Sequence, residues 1–415
     1  MNLTKEQQNT VDAILQKLRS SGYGNVSSLY RDPFVLTVGG YAGTGKTTLL
    51  CELRKEIYNK FPKLSVAFVT FTGKASSVLQ SKLSKSKFDN DYVGTIHGLI
   101  YTAKTRYDTK LKSFVIVGWK LKDEDEVWHD IIIIDEASMV SKELWDDLSK
   151  FNKPIIGVGD HGQLPPIGDQ FNLLSKTDFK LTEIHRQALN SPIIALSKLV
   201  REQGYIPHNK FFSKEVFKLS WNSPQCKQIW DNNVVFDDDL IVLCGFNTTR
   251  CYLNDRIREK LSYSKKKIPY PGERIVCLAN NHTSKIMNGQ IGTLQWVMPE
   301  DHGLYRMTID MGNSQYVECM VSNKCFGEVT YTMYDGTKLM KKQQAYAAKK
   351  GLSRVDFFDY GYAMSVHKSQ GSEWKKVIVF EQRSRYWDDQ MYARWLYTAI
   401  TRASEKLFII SDYYG

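Results

Sequence analysis

Residues Gly40-Tyr41-Ala42-Gly43-Thr44-Gly45-Lys46-Thr47 leave this chain few folds to choose from. Their spacing is G-x-x-x-x-G-K-[ST], a Gly-rich turn whose backbone N–H groups cradle phosphates while the Lys reaches the β/γ-phosphates and the Thr hydroxyl binds Mg²⁺. The turn needs a strand before it and a helix after it. Phe34 to Val38 reads as a buried strand entering the turn, and Thr48 to Ile57 has helical spacing leaving it. Gly43, Gly45, Lys46, Thr47 and Thr48 are therefore candidate ligands of a nucleotide such as ATP.

Beyond the turn, short apolar runs alternate with helical patterns: Ser65 to Val69, Ile131 to Ile134 and Pro154 to Val158 are strand-like, with helical stretches at Gly73 to Leu83 and Ser141 to Phe151. Strands that are apolar throughout belong to a parallel sheet covered by helices on both faces. Leu240 to Cys244, Val377 to Phe380 and Leu407 to Ile410 repeat the pattern, so the fold class is α/β with two parallel-sheet domains. The first spans 1–185 and the second 186–267 plus 352–415. From Ile268 to about Val329 short strands and turn residues take over, which indicates a small all-β, barrel-like insertion. A basic helix or linker around Lys341-Lys342 and Lys349-Lys350 completes the 268–351 insertion. Residues 101–128, with Tyr107-Asp108-Thr109-Lys110 as a turn, suggest a β-hairpin on the first domain, a plain surface loop being the alternative.

At 415 residues the chain buries enough core to need no disulfide or metal staple. Its seven cysteines lack a C-x-x-C pair, which points to a reducing compartment and away from zinc. The polar start, Met1 to Glu6, has no apolar segment of a signal peptide, and no run of 18 apolar residues occurs, so the expectation is a soluble, cytoplasmic protein with no membrane partner. A net charge of +11 suits a polyanion such as nucleic acid.

The run Ile131 to Ile134 ends in Asp135-Glu136, placing two carboxylates at the carboxyl end of a buried strand, where ligands of open α/β sheets bind. Asp135 is a candidate Mg²⁺ ligand and Glu136 a candidate base for the attacking water. Gln163, in Gly159-Asp160-His161-Gly162-Gln163-Leu164-Pro165-Pro166, could reach the γ-phosphate or its water. Phosphoryl transfer also needs cations at the developing charge, and Arg186 and Arg402 are candidates for that role.

These segments together resemble the superfamily 1 DNA helicases of the RecD-like branch, similar to the small phage Dda-type enzymes, over nearly the whole chain from Leu3 to Arg402. The resemblance implies two RecA-like domains, an SH3-like β insertion, and ATP with Mg²⁺. Leu3-Thr4-Lys5-Glu6-Gln7 resembles the family's Q motif, which makes Gln7 an adenine contact. Gly371, Glu373 and Tyr397 would join the nucleotide site, with Arg186 and Arg402 as arginine fingers. Thr72 and Lys74 (motif Ia), Thr95 and His97 (motif Ib), Asn247 (motif IV), and Ser365 and His367 (motif V) would line a single-strand groove. The implied activity is ATP-driven translocation on single-stranded DNA, 5′→3′ by the Gln163 to Pro166 and His367 to Gly371 segments, with unwinding of forked duplex. The hairpin would split the strands, and the protein would work as a monomer. Partner proteins of replication or recombination stay unnamed. An RNA-directed relative and a nucleotide-switch protein are the rival readings; a nuclease lacks a second acidic metal cluster in the sequence.

Overall fold

A computed structural model describes residues 3–23, 31–83, 88–108, 113–166, 171–184, 190–207, 213, 215–227, 239–263, 267–281, 284, 286, 288–312, 315–331, 337–352 and 354–411, without the side chains of 103–118. The chain forms two compact units. The first comprises Met1–Thr102, Lys120–Ile206 and Asp388–Thr401; the second comprises Ala103–Trp119, Pro207–Trp387 and Arg402–Gly415.

The first unit carries strands β1 (Val35–Gly40), β2 (Val66–Thr70) and β3 (Tyr92–Thr95). The chain then leaves the sheet as β4 (Tyr101–Asp108) and β5 (Ser113–Leu121), which pair as a separate two-stranded hairpin, and returns as β6 (Ile131–Ile134), β7 (Ile155–Gly159) and β8 (Phe179–Leu181). The sheet order is β3-β2-β6-β7-β1-β8, with every pair parallel. Alternate residues of single strands feed two different cores. Ile131 and Ile133 join Val66, Phe68 and the Leu49–Leu50–Leu53 helix face, whereas Ile132 and Ile134 join Ala67, Val69 and Leu144. All four isoleucines are fully buried, each contributing about 1.5–3 kcal/mol, which is why the run is apolar without alternation.

The second unit opens with β9 (Val216–Leu219) and β10 (Leu240–Cys244). A β-rich insertion follows: β11 (Arg274–Cys277), β12 (Ile291–Glu300), β13 (Leu304–Asp310), β14 (Tyr316–Ser322), β15 (Val355–Asp356) and β16 (Phe358–Tyr360). The parallel sheet resumes with β17 (Ala363–Ser365), β18 (Trp374–Phe380) and β19 (Ala403–Ile410), in the order β17-β10-β18-β19-β9. In the insertion the order is β15-β14-β13-β12-β11-β16. Its two end strands are separated in sequence only by the buried Phe357, so the sheet closes on itself as a barrel. The basic helix is present as Lys338–Lys349.

Three boundaries differ from the sequence reading. Residues 103–119 of the hairpin, expected on the first domain, cluster with the second unit. The barrel's closing strand lies past residue 351, because β15 and β16 are too short to read as strands. The 192–203 and 389–400 segments cluster with the first unit, not with the second. The cause is local: helices Pro192–Gln203 and Asp389–Ile400 pack on each other, and both carry side chains onto the phosphate loop. The sequence reading also lacked the short strands β3, β8, β9 and β17.

Arg54 and Asp91 lock β3 to the helix after the phosphate loop. Both side chains are buried, Arg54 Nε and Nη2 donate to the carboxylate at 2.7 and 2.8 Å, and Asp91 also accepts from Val66 N and Phe88 N. Removing one member strands the other charge in the core, so Asp91→Ala is expected to cost about 3–5 kcal/mol. Urea denaturation followed by circular dichroism checks this; an unchanged midpoint would contradict it.

Candidate nucleotide and nucleic-acid sites

β1 delivers the chain into the turn at Gly40, and helix Lys46–Lys60 leaves it. Gly43 and Gly45 sit at φ 79° and 74°, a region costly for any residue with a Cβ. The side chains that shape the turn bind its carbonyls. Gln7 Nε2 donates to Thr44 O and Gly45 O at 3.0 and 3.2 Å, Thr44 Oγ1 donates to Tyr41 O at 2.8 Å, and Lys46 Nζ donates to Gly40 O at 2.8 Å and Tyr41 O at 3.1 Å. Gln7 Oε1 accepts from Thr4 N, so its whole carboxamide braces the loop against helix Lys5–Ser20. Thr47 and Thr48 open the helix beside Lys46, at the end that favours anions.

Two strands away, Asp135 and Glu136 leave β6. Asp135 Oδ1 accepts from Glu136 N at 2.9 Å, and Glu136 takes φ 55°, strained for a side chain of this size. Gly159, at the end of β7, permits this turn: a Cβ there would come within 2.9 Å of Ala137 N. Glu136 Oε2 and Gln163 Oε1 are buried with no hydrogen-bond partner among the described residues. Orphaned oxygens beside a phosphate loop, with Asp135 and a Thr hydroxyl at hand, make an oxygen donor set that fits Mg²⁺ and a polarised water.

Tyr397 ties these loops together. Its hydroxyl accepts from Ala42 N at 2.8 Å and donates to Asp160 Oδ2 at 2.6 Å, while Leu164 N donates to Thr398 Oγ1 at 3.0 Å. Burial and the Asp160 carboxylate push the phenol well above its ordinary value, so it stays a donor. Tyr41 packs on His161 with ring centroids 4.3 Å apart, and the Arg201 guanidinium lies 3.6 Å over the Tyr41 ring. Burial lowers the His161 pKa, so the imidazole is neutral at pH 7. Sequence reasoning missed Tyr41, His161, Arg201 and Thr398: the loop pattern leaves position 41 unspecified, and nothing local marks Arg201.

In the second unit, Gly371 (φ 71°) precedes Ser372, whose carbonyl accepts from Arg402 Nη1 at 3.1 Å, and Trp374 N donates to Arg402 O. Gly371, exposed Glu373 and Arg402 are thus neighbours. Arg186 lies outside the described residues; Glu6, next to Gln7, binds Thr182 N and Glu183 N shortly before it.

The strand-groove candidates follow one rule in both sheets. Thr70 of β2 pairs with Thr95 of β3, and Thr72, Lys74 and His97 follow these two strand ends. Cys244 of β10 pairs with Ser365 of β17, and Asn247 and His367 follow those ends. In each case an edge strand and its neighbour supply the set. Thr72 and Thr95 also cap helices, their Oγ1 atoms accepting from Ala75 N and Gly98 N; Asn247 accepts from Arg250 Nε, and Ser365 Oγ from Lys368 N. His97 is exposed and tilts against Tyr101, whose hydroxyl donates to Asp147 and fixes the base of the hairpin. Burial lowers the His367 pKa.

A phosphate loop on a parallel sheet, with paired carboxylates two strands away, defines the nucleotide-binding class of RecA-like proteins. Residues 25–209 match the AAA domain family and residues 360–410 the UvrD-like helicase C-terminal domain. An uncharacterized protein of Methanocaldococcus jannaschii is 26% identical over 90% of this chain and 36% of its own length. The ATP-dependent RecD2 DNA helicase of Deinococcus radiodurans is 22% identical over 90% of this chain and 46% of its own. The chain thus spans less than half the length of both relatives. Among solved structures, the Pif1 helicase from Bacteroides in complex with ADP-AlF3 and ssDNA shares the fold at a TM-score of 0.53, with 18% identity, 100% of this chain and 93% of that one covered. By these matches the chain is similar to the superfamily 1 helicases of the RecD-like, Pif1-type group. Among the described residues no helix is long and apolar enough to cross a membrane, and no group of three or more His, Cys, Asp or Glu side chains could hold a metal ion.

The nucleotide site carries a built-in cost. Burial pushes the enclosed Asp135 carboxyl up to about 6, the Glu136 carboxylate adds to this, and Lys46 opposes it. Folding therefore disfavours the charged form. The cost is nil below about pH 4, where both folded and unfolded chains are protonated, grows as pH rises, and is full above about pH 6. Asp135→Asn is expected to stabilise the free protein at pH 8 by up to about 3 kcal/mol, at 1.36 kcal/mol per unit, and to give no gain below pH 4. Denaturant titrations at the two pH values decide it.

Proposed function

We propose that this chain is an ATP-dependent DNA helicase that translocates 5′→3′ on single-stranded DNA and opens forked duplex as a monomer. The observation that carries the reading is the combination, on one sheet, of a phosphate loop, an orphaned and strained Glu136, and strand-end polar residues repeated on a second sheet. Lys46 places an ammonium at the β/γ-phosphates. Thr47 and Asp135 hold Mg²⁺, which when bound neutralises charge on the phosphoryl group. Glu136 takes the proton of the attacking water, and Gln163 orients that water. Arg186 and Arg402 add positive charge at the transferred group, Gly371 and Glu373 contact the nucleotide, and Gln7 reaches adenine by exchanging its bonds to the loop. Thr72, Lys74, Thr95, His97, Asn247, Ser365 and His367 contact the single strand, mostly at phosphates and with little sequence preference.

Polarity rests on the resemblance of the Gln163 to Pro166 and His367 to Gly371 segments. A forked-duplex assay tests it: a substrate with a 5′ tail is unwound and one with a 3′ tail is not, and the reverse result rejects the branch. ATP hydrolysis that does not respond to a DNA oligonucleotide would favour a nucleotide switch instead.

Lys46→Ala is expected to abolish hydrolysis while single-strand binding survives, since no strand-groove candidate touches Lys46. Binding should also fall steeply with salt as phosphate contacts release counterions. Steady-state ATPase and fluorescence anisotropy at two ionic strengths measure both.

A further inference from the structure

A cavity of about 330 Å³ opens on the second unit, lined among others by Trp221, Phe246, Thr249, Phe380 and Gln382. That volume lies in the roughly 300–1,000 Å³ range of ligand pockets. It sits at the carboxyl ends of β10, β18 and β19, the side of the sheet on which Asn247 and Ser365 lie, and Phe246 directly precedes Asn247. None of its residues belongs to the nucleotide site or the strand-groove set.

Three of its lining residues, Trp221, Phe246 and Phe380, bring aromatic rings, and Trp387 backs Phe246. Trp221 and Phe380 pack with ring centroids 5.3 Å apart, Phe246 stacks on Trp387 at 6.1 Å, and all four rings are only partly buried. Gln382 gives the cavity a directional polar group. Its Oε1 accepts from Gly245 N at 2.9 Å and its Nε2 donates to Thr249 Oγ1 at 2.7 Å. Held at both ends, the carboxamide retains one lone pair and one N–H, the complement of a nucleobase edge. Gly245 is small for the same reason, since a Cβ there would press on Gln382 at 3.3 Å. Glu381, which also lines the cavity, is paired with Lys218 at 2.9 Å, and Arg383 and Arg385 follow Gln382 in sequence.

We propose that this cavity receives one base of the bound single strand, stacked on the Phe246 and Trp221 side and held at its edge by Gln382. The proposal rests on the DNA-binding reading above and adds to it a contact with a base, where the other contacts are with phosphates. It gives the strand a grip that depends on an aromatic surface and tolerates any base.

The test compares a short oligothymidylate with an abasic oligonucleotide of the same length, for the wild type, Phe246→Ala and Phe246→Tyr, by anisotropy at fixed salt, with thermal melts as a fold control. For the wild type the abasic strand should bind more weakly. Phe246→Ala should weaken oligothymidylate binding roughly 5- to 100-fold, the loss of one stacked base, leave abasic binding unchanged, and be rescued by Phe246→Tyr. Equal loss on both strands, or loss on neither, overturns the base pocket. If the folded wild type binds neither strand at low salt, the DNA-binding reading itself fails, so the two failures are distinguishable.

Discussion

A loop that must offer its N–H groups to an anion cannot also be held together by them, so its shape has to be imposed through its other polar groups. In this protein the side chains that grip residues 40–45 grip carbonyls: Gln7 at Thr44 and Gly45, Thr44 at Tyr41, Lys46 at Gly40 and Tyr41. Apart from Thr44 N, which donates to Tyr41 O at 3.3 Å, and Ala42 N, this grip leaves the amides of the turn for phosphate. Much of the first unit follows from this need, because Gln7 must be carried in by an N-terminal helix whose capping box it completes, and that helix must be buried on the sheet through Val11, Ile14 and Leu18. The one amide with a side-chain partner, Ala42 N, is bound by a phenol rather than a carboxylate, a neutral acceptor that does not repel an incoming anion.

The same logic explains the carboxylates. A half-buried Asp135 and a left-handed Glu136 with one buried, unpartnered carboxylate oxygen each cost stability, a cost that Lys46 and the Glu136 N–H offset only in part. Such local losses are tolerated where chemistry requires the group. The strain is supported by packing: Gly159 on the neighbouring strand leaves room for the Ala137–Met139 turn that holds Glu136 in place.

Whatever depends on composition within a short window was legible in the sequence. The Ile131 to Ile134 run had to be a strand buried on both faces, and its Asp135-Glu136 ending had to lie at the ligand edge of the sheet. Short strands were not legible: β15, β16 and β17 have two or three residues each, and they exist because of their partners β14, β11 and β10. The hydrogen bonds of Tyr397, whose hydroxyl meets Asp160 across 237 positions, have no local signature either. Gln7 shows a third limit: the motif points to adenine, while the bonds of its side chain in the free protein go to Thr44, Gly45 and Thr4.

The closure of the barrel through Phe357 bears on how this fold can be taken apart. The strand that seals the barrel continues, after Gly361 and Tyr362, into the edge strand that ends at Ser365. Arg250, near the start of the helix that begins at Asn247, is paired to Asp359 on that sealing strand, and Arg258 farther along the helix is paired to Glu273 just before the barrel's first strand. Ile275, Leu294 and Val321 of the barrel share one core with Leu240 and Val242 of the sheet. The barrel is therefore not a cassette. It interrupts the sheet in sequence, but excising it would unravel the edge of the sheet on which Ser365 and Asn247 stand, so the two parts are tied to change together.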